Sequence, residues 1–145
     1  MLAFREMRVA RHTFNEEQVD AGIDAIIERA KDRGQTIRYS AVFAAAGLPE
    51  PQQLHQGAES QLVTDFMKAI HDRCIQRGLP PLDSLVVHVA GPRQSWPGGG
   101  YFKVNGLVDP LKDRVSAADQ VTATRFWEDQ KKECMEWGVR ARRTS

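Results

Sequence analysis

Apolar side chains recur every three or four positions near the start of the chain, at Val19, Ile23, Ile26, Ile27 and Ala30. This spacing predicts an amphipathic helix over residues 14–33. Thr13 and Glu16 have the spacing of a capping box at its start, and Gly34 can close its end in a left-handed conformation.

A second apolar stripe, in the middle of the chain, predicts the longest helix. Its members follow one another four positions apart: Leu62, Phe66, Ile70 and Cys74. Gly78, Pro80 and Pro81 end this helix. Between the two helices, residues 36–38 predict a stub strand, and Ser40 is placed to cap a short helix over residues 41–46.

The pattern changes after the prolines. Residues 84–90 are apolar on both faces apart from His88, which predicts a buried strand. Residues 101–104 are predicted to pair back antiparallel, across a loop closed by three glycines, as a β-hairpin. Ser116 and Asp119 mark a final helix that Gly138 ends. The predicted fold class is therefore α+β, with a helix, a stub strand, two helices, a β-hairpin and an added C-terminal helix.

This order of elements resembles that of winged helix-turn-helix domains over residues 14–105, with the hairpin as the wing. The resemblance implies that the short and long helices form a reading pair. The chain is also similar to a group of small bacterial proteins of unknown function, through Pro80, Pro81, Leu82, Leu85, Val86, Val87, Pro97, Gly98, Gly99, Gly100, Tyr101 and Phe102. Residues 39–47 are similar to the helical domain of alkyltransferase-like DNA repair proteins. The chain lacks the Pro-Cys-His-Arg run of those proteins, so alkyl transfer is not expected.

The 145 residues suit one domain, here residues 14–138 between a flexible N-terminal arm (1–13) and a basic tail (139–145). A formal net charge of +1 provides no global field that attracts nucleic acid or an anionic membrane. Cys74 and Cys134 do not make a disulfide framework, so a reducing compartment is expected. We expect no signal peptide, because the first six residues are too charged for one, and no apolar run approaches the roughly 18 residues of a membrane span. We therefore expect a soluble cytoplasmic protein without a membrane partner.

A DNA-binding role would rest on local groups. The start of the long helix offers side chains that can read base edges: Gln56, Ser60, Gln61 and Thr64. The phosphate contacts would come from Arg38, Arg93 and Lys103. Glu59 and Asp65 on the same helix would repel phosphates, which favours a protein partner instead.

A protein-interaction role would rest on aromatic side chains. Trp96 at the tip of the predicted wing is a natural anchor for a base or a protein pocket, unless it folds back onto the core. Trp137 on the final helix would form a partner surface if it is exposed, and the same helix is the predicted element of a homodimer.

The sequence offers little for catalysis. The histidines and cysteines lack the spacing of a zinc motif, so no metal and no cofactor is predicted. A hydrolase or nuclease centred on the hairpin would have to gather Asp83, His88, Lys103 and Glu128. We therefore predict a non-enzymatic binding module, with DNA as the first candidate partner, a protein as the alternative and a hydrolase as the further alternative.

Three observations would distinguish these functions. A continuous basic surface through Arg38, Arg93 and Lys103 would favour DNA. An exposed apolar patch at Trp96 or Trp137 would favour a protein partner. A cleft in which His88 meets a carboxylate would favour catalysis.

Overall fold

A computed structural model describes residues 14–32, 35–49 and 58–144, and for residues 58–60 it describes the backbone alone. Helices dominate, and the fold is α+β. The elements in chain order are α1 (Glu16–Lys31), β1 (Ile37–Arg38), α2 (Tyr39–Ala45), α3 (Ala58–Gln76), a 3₁₀ helix (Leu82–Leu85), β2 (Val86–Val87), α4 (Gly99–Val104) and α5 (Ala117–Arg143). The predicted arm (1–13) and the predicted end of the first helix at Arg33 and Gly34 lie outside the described residues.

The first helix begins at a different cap from the predicted one. Asn15 is the N-cap: its side chain accepts from the Gln18 N–H at 2.8 Å, and the Gln18 side chain accepts from the Asn15 N–H at 3.0 Å. Two N–H groups that the helix leaves unpaired are thereby satisfied. The predicted cap, Thr13, lies outside the described residues. From this start α1 contacts α2, α3, α5 and the 3₁₀ helix.

The stripe predicted on the longest helix is confirmed. All four of its side chains on α3 are buried in the core: Leu62, Phe66, Ile70 and Cys74. The helix ends at Gln76, and Gly78 closes it as predicted: its φ of +68° lets the Leu79 N–H bond to the Cys74 carbonyl at 2.9 Å.

The predicted β-hairpin is wrong. Residues 101–104 belong to α4, a helix, and the two strands of the described chain pair parallel, with Ile37 opposite Val86 and Arg38 opposite Val87. The predicted strand over residues 84–90 is reduced to β2, because the 3₁₀ helix occupies the residues before it. The stub strand at β1 is confirmed.

The end of α4 is a helix cap. Asn105 and Gly106 follow the predicted second strand and suit a tight turn, but here they close α4. The Asn105 side-chain amide donates to the Tyr101 carbonyl at 2.8 Å, and Gly106 adopts a φ of +71°. The Leu107 N–H then bonds to the Phe102 carbonyl at 2.8 Å. A glycine in the left-handed region serves a helix end as well as a turn.

The last helix starts as predicted but ends later. Ser116 caps α5 by accepting from the Asp119 N–H at 3.1 Å. The helix passes through Gly138 and ends at Arg143, so most of the predicted basic tail is helical. Gly138 lies where α5 crosses α1: an added Cβ would lie 2.7 Å from Ala30 Cβ and closer still to the Ala30 carbonyl oxygen. The glycine therefore permits a close helix crossing and does not act as a stop signal.

Buried apolar side chains form two groups. The helical core joins α1, α2, α3, the 3₁₀ helix and Cys134 of α5. The loop cluster joins β2, α4, α5 and the loop before α4, and its members are Val87, Trp96, Tyr101, Phe102, Leu107, Ala123, Phe126 and Trp127. None of the described helices is long and apolar enough to cross a membrane.

Candidate functional site

Three of the predicted DNA-binding residues lie on α3 and α4. Gln61 is exposed and donates to Asp65 at 2.9 Å, and Lys103 is exposed on α4. Thr64 is exposed. It lies beside α4, since a Cβ added to Gly100 would lie 3.6 Å from the Thr64 methyl group. We call these residues (Gln61, Thr64 and Lys103) the α3–α4 surface.

Two further predicted DNA-binding residues cannot be placed on this surface. Gln56 lies outside the described residues, and only the backbone of Ser60 is described.

Arg93 is held within the loop that precedes α4. Its guanidinium forms an ion pair with Asp109, and its Nη1 donates to the Pro97 carbonyl at 3.3 Å. A Cβ on Gly99 would lie 2.9 Å from the Asp109 carboxylate, so a larger residue there would require this side chain to shift. A guanidinium bonded to a carboxylate has lost much of its attraction for a phosphate. We therefore do not include Arg93 in the α3–α4 surface.

The two tryptophans predicted to meet a partner are half-buried. Trp96 stacks on Trp127, with ring centroids 5.0 Å apart and planes inclined by 28°. The Trp127 indole N–H donates to the Ser84 carbonyl at 3.0 Å, and the Lys131 ammonium lies 4.1 Å from the Trp127 ring centroid. Trp137 packs against the helical core. Both predicted anchors thus contact the protein's own interior.

Arg38, the remaining predicted phosphate contact, lies at an open groove. This groove, of about 650 Å³, separates the end of α1 from the small sheet, and we call it the sheet groove. Its lining residues are Ala25, Glu28, Arg29, Asp32, Thr36, Ile37, Arg38, Ala41, Val87 and Val89. A smaller depression of about 250 Å³ continues from Arg38 towards Ser40 and His88.

The sheet groove combines an apolar floor with charged walls. Ile37 and Val87 lie in the floor, and Val89 at its edge is 57% exposed. The Arg29 Nε donates to the Thr36 carbonyl at 3.1 Å, which ties α1 to β1. Arg38 is exposed, and no carboxylate of the described residues lies within 4 Å of its guanidinium. The groove therefore presents a cation beside exposed apolar surface.

His88 does not meet a carboxylate in the described part of the chain. Its ring lies against Tyr39, with centroids 4.5 Å apart, and Tyr39 Oη accepts from the Gly98 N–H at 2.8 Å. Burial lowers the pKa of His88 and raises that of Tyr39 to about 12, so both rings are neutral at physiological pH. A Cβ on Gly98 would lie 3.3 Å from the Tyr39 hydroxyl, so the backbone approaches this ring closely at Gly98.

The residues of the nuclease alternative are engaged with different neighbours. Asp83 is buried and contacts His71, while Glu128 lies on α5, 3.4 Å from Lys131. Lys103 is exposed on α4, and His88 contacts Tyr39. This arrangement does not provide the joint contact of base, acid and cation that hydrolysis needs.

The cysteines are buried and inert. Burial raises the pKa of Cys74 to about 11 and raises that of Cys134 as well, so both remain thiols. Among the described residues, no three His, Cys, Asp or Glu side chains are arranged to hold a metal ion.

Sequence reasoning missed the partners that hold the loop. Asp109 and Trp127 contact Arg93 and Trp96 across 16 and 31 positions, and nothing in the local pattern marks such pairs. Tyr39 likewise binds Gly98, 59 positions away, and the local pattern carries no signal for this contact. Comparison with protein-family models, curated proteins and solved structures gave no match to this chain.

Proposed function

We propose that the protein is a non-enzymatic binding module that takes an extended segment of a partner protein in the sheet groove. The observation that carries this proposal is the groove itself, with the exposed Val89 beside the exposed Arg38. Concave sites with an apolar floor and a few polar groups are typical binding sites.

The chemistry of the groove defines the segment that fits it. Ile37, Ala41, Val87 and Val89 would cover an aliphatic side chain of the partner. Burying such a side chain contributes about 1.5–3 kcal/mol. Arg38 would bind a carboxylate one or two positions along, and Glu28 and Asp32 on the α1 wall would favour a basic residue further on. The expected ligand is thus a short extended peptide with an aliphatic and an acidic residue close together.

Selection from a displayed library of random heptapeptides tests this function. We expect enrichment of aliphatic–acidic sequences on the wild-type protein and its loss on Val89→Asp, which places a charge in the groove. Val108→Asp is the matched control, because Val108 is 47% exposed in the loop before α5 and lies outside the groove.

Two results would contradict the proposal. One is the absence of enriched peptides on the wild-type protein. The other is a set of peptides that binds Val89→Asp as well as it binds Val108→Asp.

A second candidate function is binding of duplex DNA by the α3–α4 surface, with α2 and α3 as the reading pair. It is supported by the exposure of Gln61 and Thr64 on α3 and of Lys103 on α4, two helices that contact each other. Asp65 on the same face opposes it, because a carboxylate repels phosphates.

Fluorescence anisotropy with a random duplex, at about 50 and about 200 mM salt, tests this second function. DNA binding predicts a strong loss of affinity at the higher salt and a salt slope that Lys103→Ala reduces by about one. Lys112→Ala, at another exposed lysine, should leave the slope unchanged. Salt-independent or absent binding removes DNA as the ligand.

We also propose that the protein forms a homodimer through α5. Val121 on this helix is 50% exposed and would lie in such an interface. Sedimentation equilibrium of the wild-type protein and Val121→Glu tests it, and a monomer at high concentration would contradict it.

A further inference from the structure

The ion pair between His71 and Asp83 is the most deeply buried charged contact among the described residues. Asp83 lies in the 3₁₀ helix and is 3% exposed, and the His71 side chain on α3 is 12% exposed. His71 Nδ1 lies 3.2 Å from one carboxylate oxygen and 3.1 Å from the other. We propose that this pair is a pH-sensitive latch, which holds the 3₁₀ helix against α3 when His71 is protonated.

The surroundings make Asp83 dependent on His71. The neighbours of Asp83 within the 3₁₀ helix, Leu82, Ser84 and Leu85, are fully buried. A carboxylate in such surroundings is costly unless a cation and hydrogen bonds compensate it. Lys68, the other cation close to His71, is itself paired with Asp72 at 2.7 Å.

The remaining ionisable groups near Asp83 bring no positive charge. They come from α2, α3, α4 and α5, and they are Tyr39, Cys74, Tyr101 and Cys134. Burial raises the pKa of each, so all four are neutral at physiological pH. Asp72 is the other anion close to His71, and it favours the protonated imidazole. Among the described residues, His71 is therefore the one cationic side chain that bonds to Asp83.

The sign of the pH dependence follows from the pair. The hydrogen bond to Asp83 raises the pKa of His71, although burial opposes this. A raised folded-state pKa contributes stability that is complete below the unfolded value of about 6.5 and is lost as the pH rises through the folded value. Above that value the neutral imidazole can still donate a hydrogen bond, but the buried carboxylate has lost its counter-charge.

The latch acts on a segment that matters for the rest of the fold. The 3₁₀ helix contacts α1, α3 and α5, and it continues directly into β2, whose Val87 lies in the floor of the sheet groove. Ser84, one position after the latch, bonds to the Tyr101 hydroxyl at 2.9 Å. Release of Asp83 would loosen this segment first. The inference does not depend on the proposed function, because it concerns the order of the segment and not its ligand.

Amide hydrogen exchange of Leu85, Val86 and Val87, corrected for the intrinsic pH dependence, tests the latch. We expect protection to fall about tenfold between pH 6 and pH 8.5 in the wild-type protein, because the segment loses the ion pair as His71 becomes neutral. His71→Gln keeps a hydrogen-bond donor without a titrating charge, so its protection should not change with pH. His88→Gln is the matched control, because it removes another half-buried imidazole and should behave as the wild-type protein does.

A second readout is the NMR titration of the His71 ring. The wild-type ring should titrate above the ordinary range of histidine, and Asp83→Asn should lower its pKa. An equal loss of protection in His71→Gln, a wild-type protection that does not change with pH, or an unshifted His71 would each overturn the proposal. The comparison of the two histidine variants decides the matter even if Asp83→Asn does not fold.

Discussion

The helical core and the loop cluster are both buried, yet they are held together differently. In the helical core, apolar side chains at helical spacing on α1 and α3 meet each other, as Ile23 and Phe66 illustrate. In the loop cluster, aromatic side chains are held by polar contacts between segments far apart in the chain, such as the indole of Trp127 on Ser84. A helix that carries an apolar stripe already defines its buried face, whereas a loop acquires one only from its partners.

This difference decides which predicted binding residues remain on the surface. Gln61 and Lys103 lie on helices and are exposed. Arg93 and Trp96 lie in the glycine-rich loop and are used to fix it, by Asp109 and Trp127 respectively. Polar and aromatic side chains in a long loop are therefore as apt to order the loop itself as to bind a ligand.

Removal of Trp127 should have the largest effect, because it breaks the loop cluster and leaves the helical core intact. The side chain is 2% exposed, and it provides the Trp96 stack and the bond to Ser84. We expect Trp127→Ala to reduce the free energy of unfolding by about 4 kcal/mol. Urea denaturation followed by far-ultraviolet circular dichroism measures this loss. A loss below about 1 kcal/mol would show that the loop cluster adds little to stability.

Gly138→Ala should have the next largest effect, and it acts on the helical core. An added methyl group would meet the Ala30 backbone, so α5 must move away from α1. We expect a loss of about 3 kcal/mol in the same denaturation experiment. Gly22→Ala is the control: its Cβ would lie 3.2–3.3 Å from movable side chains of Val42, Phe66 and Ile70. An equal loss of unfolding free energy in Gly138→Ala and Gly22→Ala would show that the distance between α1 and α5 does not depend on a glycine at position 138.

The ion pair between Arg93 and Asp109 should have the smallest effect of the three. Their side chains are 27% and 10% exposed, so solvent screens the pair in part. We expect Arg93→Ala to cost about 1–2 kcal/mol, mainly because Asp109 is left without a partner. A double-mutant cycle with Asp109→Asn isolates the interaction. The exposed Lys68–Asp72 pair should give about 0.5 kcal/mol or less in a parallel cycle. Equal coupling energies for the two pairs would contradict the conclusion that the Arg93–Asp109 pair stabilises the loop before α4.

Local signals predicted most of the helices well and the hairpin badly. The predicted cap at Ser40 is wrong, because this residue lies inside α2, whose N-cap is Arg38. Ser116 capped α5 as predicted, and Gly78 ended α3. Asn105 and Gly106 could not decide whether residues 101–104 form a strand or a helix, because these residue types suit either a tight turn or a helix end. The choice depends on two long-range contacts: the Tyr101 hydroxyl bonds to Ser84, and the adjacent Phe102 packs in the loop cluster. Adjacent residues of a strand point to opposite faces, whereas on a helix they lie close enough to contact the same region.

The candidate sites were predictable to a smaller extent. Arg38 was singled out as a cation and does lie at an open groove, but the groove itself arises only when α1 packs beside the two short strands. Val89 carried no signal, since it reads as one more apolar residue of a buried strand. Asp83 and His71 are 12 positions apart and belong to different elements, so their pairing depends on how the 3₁₀ helix packs against α3.

By itself, the sequence determined the α+β class, the apolar stripes of α1 and α3, and the start of α5. Each of these depends on interactions within a few residues, where spacing and capping groups act directly. Tertiary structure alone decided the parallel pairing of β1 with β2, the helical state of α4 and the inward use of Arg93 and Trp96. It also decided that α5 continues past Gly138. These features depend on contacts between residues tens of positions apart, and the free energy of such contacts is available only once the whole chain has packed.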